Sequence, residues 1–320
     1  MTRRRKILLA LLLVATVLAG SFAWTFVRRP LPLPDVVARP LPSPPSATDI
    51  KVWVVPTGSV ESQHGFAVRG ASLLEPLTSS MVAILVEHPK GRILIDAGMG
   101  RDGVAHVATI PLPLRAFIDL KLTGGIADVL KAGGVKIEDL QGVLLTHAHW
   151  DHVSGLADLP GVPVLLPRTE LTWAESTDPG AELFRQIDKA SPLKLVTYEY
   201  DGGAYGPFEK SHDIFGDGTV VVVPMAGHTP GSIGVFVNLP SGARYLFIGD
   251  TAWAKEGVEW PAEKPWISRR DVDNDPAQVR VQLGLLHRLA EAHPELTVVP
   301  AHDARVHKTL PAFADRHSDH

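Results

Sequence analysis

No cysteine occurs among the 320 residues. Disulfides and thiolate metal ligands are therefore excluded, and any metal must be held by His, Asp or Glu. The redox compartment stays open, because a cysteine-free chain is at home in any of them. An excess of basic charge is missing too: 31 Lys and Arg face 35 Asp and Glu, for a formal net charge of -4, and the cations are dispersed except at the extreme N-terminus. No nucleic-acid surface is expected from that balance, and small molecules are the expected partners. No short-period repeat is present either, so a solenoid is not expected. What remains is a composition of 45% hydrophobic and 21% charged residues, ordinary for a globular protein with a sizeable core.

The N-terminus departs from this average. "MTRRRK" precedes an uncharged, mostly apolar run from Ile7 to Val27, closed by Arg28 and Arg29. The run is about long enough to cross a bilayer as a helix, so residues 1–29 read as a signal anchor. The alternative is a cleaved signal peptide, for which Ala19-Gly20-Ser21 could serve as the small-residue site. The N-terminal arginines would stay in the cytoplasm, placing the rest of the chain outside it, either membrane-anchored or secreted. Residues 30–49 follow as a proline-rich linker: "PLPLPDVVARPLPSPP", Pro30 to Pro45, cannot form a helix or a central strand and favours an extended tether. An arm wrapped over the domain surface is the other reading.

From residue 50 to 312 the chain alternates short β-rich runs with helical patterns. "KVWVVP", "MVAILVEH", "RILIDAG", "GVLLTH", "VPVLLP", "TVVVVP", "SIGVFVNL" and "RYLFIGD" read as strands, several apolar enough to be covered on both faces. Pro89-Lys90-Gly91 and Pro240-Ser241-Gly242 supply hairpin turns. "GIADVLKAGG" and "DPAQVRVQLGLLHRLAEAHPEL" read as helices; in the second, Asp275 is the N-cap, Pro276 takes the first helical position, and Val279, Leu283, Leu286 and Ala290 share a face. Two strand-rich groups, each followed by a helix, predict an α/β fold of two sheets between helix layers. Residues 313–320 read as a polar, mobile tail.

The chemistry concentrates in "LLTHAHWDHVSG". His147 and His149 lie two apart after an apolar run, so on extended backbone their imidazoles point the same way and can grip one ion. Asp151 and His152 follow where the chain turns, free to serve a second ion beside the first. His228 in "AGHTPGS", Asp250 at the end of "RYLFIGD" and His302 in "VVPAHD" each follow a β-run. Strand ends at one edge of a sandwich converge, so these distant residues can meet. Five histidines and two carboxylates suit two divalent first-row ions, zinc first, with iron or manganese compatible.

The ordered set "THAHWDH", "GHTPGS", "GDT" and "PAHD", with "DAG" at Asp96 to Gly98, resembles the metallo-β-lactamase-fold hydrolases from about residue 50 to 310. The resemblance implies a four-layer αβ/βα sandwich. It implies that His147, His149 and His228 hold one metal, that Asp151, His152 and His302 hold the other, and that Asp250 bridges both. It further implies hydrolysis by a hydroxide shared between the ions, with Asp151 relaying a proton. Asp96 is expected to orient ligands, and it is equally a good turn residue.

Lactamases with a cysteine ligand are excluded, and the cysteine-free type lacks a bridging aspartate. The pattern is closest to N-acyl homoserine lactonases, with glyoxalase II-type thioesterases and phosphodiesterases as alternatives and a non-catalytic metal-binding module as a further class. The expected substrate is thus a small-molecule ester, lactone or thioester. One departure is Trp253, three residues after Asp250, where those lactonases carry a tyrosine: an indole N–H donates a hydrogen bond but has no phenolic proton to transfer. "VAHVATIPLPLRAFIDLKL" could frame an acyl pocket or pack on the core. The stretch after Asp250, with Trp253, Trp260, Trp266, Arg269 and Arg270, could be a lid over the substrate or a packed loop. His64 could reach the cleft mouth. No sequence feature specifies an oligomeric state.

Overall fold

The computed structural model describes residues 2–35, 39–43, 45, 49–110, 112–115 and 118–317. Two sheets form among them. The first runs in the order β4-β1-β2-β3-β5-β6-β7, from β1 (Lys51–Gln63), β2 (Pro76–His88), β3 (Gly91–Ile95), β4 (Leu120–Leu122), β5 (Leu140–Leu144), β6 (Pro163–Pro167) and β7 (Lys194–Tyr198). The second runs in the order β12-β11-β10-β9-β8, from β8 (His212–Asp213), β9 (Val220–Pro224), β10 (Ile233–Asn238), β11 (Arg244–Phe247) and β12 (Leu296–Val299).

Three apolar clusters define four layers. Ile126 and Leu130 of one helix and Leu183, Phe184 and Ile187 of another pack on Leu85, Leu94 and Val143 of the first sheet. Val52, Ile84 and Ile93 meet Val220, Val222 and Val235 between the sheets. Val279, Leu283, Leu286 and Leu289 of the helix Pro276–Ala292 cover Val221, Val223, Phe236 and Leu246 on the far side. Removing this apolar surface from water is the main favourable contribution to the fold. It also explains why β9 and β10 lack polar alternation: both of their faces are buried.

All eight apolar runs expected as strands lie on strands, and both expected hairpins form, with His88 paired to Gly91 and Asn238 to Arg244. Gly91 has φ +142, and a Cβ there would fall 2.0 Å from the Gln141 side chain, so the turn requires glycine. The first hairpin is longer than its apolar text: β1 continues to Gln63 and β2 begins at Pro76, because the added residues pair in register from Gly58↔Met81 to Gln63↔Pro76.

Handedness and pairing place the functional edge. The strands β3, β5, β6 and β7 are parallel, as are β11 and β12, while β10 is antiparallel to both β9 and β11. The chain therefore leaves β3, β5, β9, β11 and β12 at a single edge, and it carries a chemically distinctive residue out of each.

The proline-rich segment, where described, lies on the domain rather than free of it. Leu31 N donates to Pro261 O at 3.4 Å, Pro34 packs on Gly284, Leu41 is buried in the third cluster, and Arg244 donates to Pro42 O. The C-terminal segment is likewise packed further than its composition suggests. Phe313 is buried against Gly133, and Arg316 reaches the Glu87 carboxylate at 2.9 Å; residues 318–320 lie outside the described residues. At the other end, Arg3–Trp24 is a helix of 22 residues with none buried, long and apolar enough to cross a membrane by length and composition.

Asp275 caps the helix Pro276–Ala292, its Oδ1 accepting from the N–H of Ala277 and of Gln278 at 3.0 Å each. Asp275→Ala should lower stability by about 1 kcal/mol, the usual value of such a cap. Thermal unfolding should then shift downward by roughly 2–4 °C. An unchanged midpoint would show that the cap is not holding the helix.

Candidate metal centre

β5 ends at Leu144, so His147 and His149 stand in a loop rather than on the strand expected, before the turn Trp150–Val153 that carries Asp151 and His152. Their rings still converge, with centroids 4.8 Å apart. The reason is the neighbouring strand exit. Asp96 follows β3 with φ +58, a left-handed conformation that an aspartate tolerates better than most residues. Its Oδ1 accepts from Thr146 N at 2.7 Å, and its Oδ2 accepts from Thr146 Oγ1 at 2.8 Å and contacts His152 Nδ1 at 2.8 Å. Asp96 is thus both a turn residue and an orienting one, since holding Nδ1 leaves His152 Nε2 free to face inward.

All seven sequence-predicted residues meet at this edge, in two groups. His147, His149 and His228 form one; Asp151, His152, Asp250 and His302 form the other; within each, the candidate ligand atoms lie within 4.8 Å of one another. His149 Nδ1 stands 2.8 Å from His228 Nε2. His302 Nε2 is 3.1 Å from Asp151 Oδ2 and 3.0 Å from Asp250 Oδ1. Asp250 faces both groups: its Oδ1 lies 3.3 Å from His152 Nε2, and its Oδ2 lies 3.5 Å from His228 Nε2.

Buried polar atoms ordinarily find hydrogen-bond partners. His147 Nε2, His152 Nε2 and Asp250 Oδ1 are buried and make no hydrogen bond. Three lone-pair atoms oriented into one space, with no thiolate among their neighbours, fit divalent cations. The charge distribution agrees. Burial and the neighbouring imidazole of His228 hold His149 down at about 3, and burial with His152 holds His147 well below the ordinary range. Both are therefore neutral donors at physiological pH. The second group sets two carboxylates against two imidazoles. Burial opposes protonation of His302, but the Asp250 and Asp151 carboxylates overcome it and raise the imidazole to about 10. A site that draws a proton so strongly also draws a cation.

Several supporting residues carried no sequence signal. Asp273 Oδ1 contacts His228 Nδ1 at 2.8 Å and accepts from the buried ammonium of Lys264 at 2.7 Å, which neutralises a carboxylate that would otherwise be costly to bury. Glu170 is fully buried: Oε1 accepts from Ala148 N at 2.7 Å, and Oε2 accepts from Thr229 Oγ1 at 2.7 Å and Gly231 N at 3.1 Å. It ties the loop of His147 and His149 to the loop of His228. Trp253, by contrast singled out in the sequence by its place after Asp250, donates from Nε1 to Asp250 Oδ2 at 2.7 Å, with Lys264 Nζ 5.3 Å from its ring centroid.

Of the two readings of the stretch after Asp250, lid or packed loop, its arginines fit the packed loop. Arg269 Nε lies 3.3 Å from Glu263, and the Arg270 guanidinium stacks on Trp266 at 4.9 Å, so neither reaches the centre. His64 is buried beside Glu256, its Nε2 3.0 Å from Oε2, and belongs to the packing of the loops rather than to the cleft mouth.

Burial pushes the Glu170 carboxyl up to about 7, against three hydrogen bonds that favour its ionised form. A carboxyl raised in the folded state contributes stability below its unfolded value near 4.5 and loses that contribution as pH rises through about 7. Chelator-treated protein should therefore lose thermal stability between about pH 5 and 8, and Glu170→Gln should flatten that slope. The amide should also cost about 1–3 kcal/mol, because its NH2 would face a backbone N–H. Equal slopes in the two proteins would refute the assignment to Glu170.

With this geometry in hand, comparison with known proteins is specific. The profile of the metallo-beta-lactamase superfamily matches residues 80–310. An N-acyl homoserine lactonase, AttM of Agrobacterium fabrum, is 27% identical over 269 residues, covering 80% of this chain and 94% of its own. A probable metallo-hydrolase of Mycobacterium tuberculosis, Rv2300c, is 28% identical over 232 residues, covering 69% and 73%. Among solved structures, a mutant of Bacillus thuringiensis AiiA with N-decanoyl-L-homoserine bound at its active site superposes with TM-score 0.65 at 20% identity, covering 82% of this chain and 97% of that one. At that identity the likeness concerns the fold. The matched profile spans the strands and loops that carry the seven converging residues, and the chain belongs to the metallo-β-lactamase superfamily of metal-dependent hydrolases.

Proposed function

We propose that the protein is a dinuclear hydrolase that opens the ring of N-acyl homoserine lactones. The observation that carries this reading is the position of Asp250, whose two oxygens face the two groups of candidate ligands. His147, His149 and His228 would hold one cation; Asp151, His152 and His302 would hold the second; Asp250 would join them, with zinc the best match to this donor set. A bound pair of divalent ions supplies a water activated near neutral pH and an electrophile for the attacked carbonyl.

The remaining work falls to the chain's own groups. Asp273 and Asp96 hold Nδ1 of His228 and of His152, fixing ring orientation. Asp151 would take a proton from water and return it to the departing oxygen. Trp253 does not serve as that acid, since its one N–H is given to Asp250. Met81, Met99, Val107 and Ile110 are buried in an apolar cluster with Ile118, Leu122 and Trp150, which favours the packed-on-core reading for the segment from Val104 to Leu122, of which residues 111, 116 and 117 lie outside the described residues.

The missing phenol favours a second reading. A thiolate leaves without a general acid, because its conjugate acid is far stronger than an alcohol, so a thioester would tolerate tryptophan at this position. On the N-terminal helix, the reading is a membrane anchor with the catalytic domain outside the cytoplasm, or a secreted protein where the segment is cleaved.

The test is chelator-sensitive proton release from a long-chain N-acyl homoserine lactone by zinc-loaded protein, beside acyl thioesters. Faster turnover of lactone supports the first reading; a preference for thioester replaces it with the second. His149→Ala and Asp250→Asn should each depress kcat/KM by more than the 10–100-fold typical of outer orienting partners. Full activity in either would remove that residue from the site. Trp253→Phe keeps the ring and loses the hydrogen bond to Asp250; it should weaken metal affinity by about 10–100-fold in competition with a chromophoric chelator.

A further inference from the structure

We propose that the tip of the β1–β2 hairpin, residues 64–75, rests in the polar face of the bilayer beside the end of the helix Arg3–Trp24, so that the edge of the sandwich bearing the metal-site residues faces the membrane. The inference rests on the anchor reading of that helix and adds to it an orientation, a contact surface and a direction of substrate access.

The tip is joined to the helix end by specific bonds. Arg69 donates from Nη2 to Trp24 O at 3.0 Å, which also accepts from Val27 N, and from Nε to Val27 O at 2.8 Å, so one guanidinium holds the turn that follows the helix. The same guanidinium is fixed from below by Glu263 at 3.0 Å. Phe26 packs edge-on against Phe66, with centroids 5.6 Å apart, and Arg28 lies over the Trp260 ring at 5.0 Å. The chain therefore passes from helix to domain without a free spacer. Where described, the proline-rich segment that follows packs through Leu31 and Leu41 on the far helix and sheet.

Beside this joint the surface is apolar where water would disfavour it. Leu74 is 93% exposed, Leu73 is 39% exposed and Trp266 is 47% exposed; the last belongs to the turn whose Ser268 hydroxyl donates to Phe66 O at 2.7 Å. Through Phe26 and Phe66 the patch adjoins a helix that has no buried residue and is long enough to span a bilayer. Two aromatic rings paired with arginines, Trp24 with Arg29 and Trp266 with Arg270, match the composition of a membrane interface and suit anionic headgroups.

The tip also lies on the functional side. Ser80 N donates to His302 O at 3.0 Å, and Ser79 bridges to Asp303, so β2 passes the site there; its pairing with β1 then continues outward to Gln63↔Pro76. The opposite edge carries the β10–β11 turn at Ser241. A substrate with an acyl chain dissolved in the membrane would thus reach the centre from the bilayer side.

The absence of native cysteine makes the test direct. Leu13→Cys, Leu74→Cys and Ser241→Cys, made singly in the full chain, would each carry an environment-sensitive fluorophore after reconstitution into phosphatidylcholine–phosphatidylglycerol vesicles with headgroup and shallow acyl nitroxide lipids. Emission at 13 and at 74 should be quenched, and emission at 241 should match a nitroxide-free control. An unquenched label at 74 overturns the docking, including the case of a blue shift without quenching, which would mark burial against a second copy. Quenching at 241 equal to that at 74 overturns the orientation. An unquenched label at 13 overturns the anchor, so the two failures are read separately.

Discussion

The grip of the Asp96 carboxylate on Thr146 and His152 is the contact on which the rest of the centre depends. It forms where two parallel strands release the chain side by side, and it requires the aspartate to adopt a left-handed conformation that most residues resist. That cost is met because the carboxylate satisfies a backbone N–H, a hydroxyl and an imidazole at once. The histidine loop is thereby held against β3, and the next imidazoles inherit their positions from it.

Around that contact, buried carboxylates are met by a counter-charge or by several donors. Asp273 has Lys264, and Glu170 has three donors drawn from two loops. Breaking such a pair strands a desolvated group, which is why orienting residues of this kind are sensitive to substitution although they touch no substrate. Trp253 belongs to the same system: its indole N–H fixes one oxygen of Asp250, and its ring faces the Lys264 ammonium. Where the lactonase resemblance leads one to expect a phenol, the indole offers a hydrogen bond to Asp250 and no transferable phenolic proton.

Most of this was legible in the order of residue types. His147, His149, Asp151 and His152 stand close in sequence, and His228, Asp250 and His302 each follow an apolar run, so strand-end convergence brought them together on paper. Both hairpin turns and the Asp275 cap were readable because their determinants are local. Glu170, Lys264 and Asp273 were not, since their roles arise from pairings across 59, 9 and 45 positions that no local pattern encodes. The continuation of β1 and β2 beyond their apolar text was hidden for a related reason: its residues form strand by pairing with each other, while their side chains are mixed in polarity. Phe313 in an otherwise polar tail shows how a single apolar residue can extend a packed structure past a boundary set by composition.

The distribution of the seven converging residues between the sheets has one further consequence. His147, His149, Asp151 and His152 come from the first sheet, and His228, Asp250 and His302 come from the second, with Ile233 N bonded to Thr146 O at 3.0 Å across the seam. Neither half alone possesses a complete group of either kind. A cation bound there would act as a rivet through both halves, stabilising only the fully assembled chain. Metal uptake would then follow the joining of the two sheets, since a half-folded molecule offers no complete group to hold the ion.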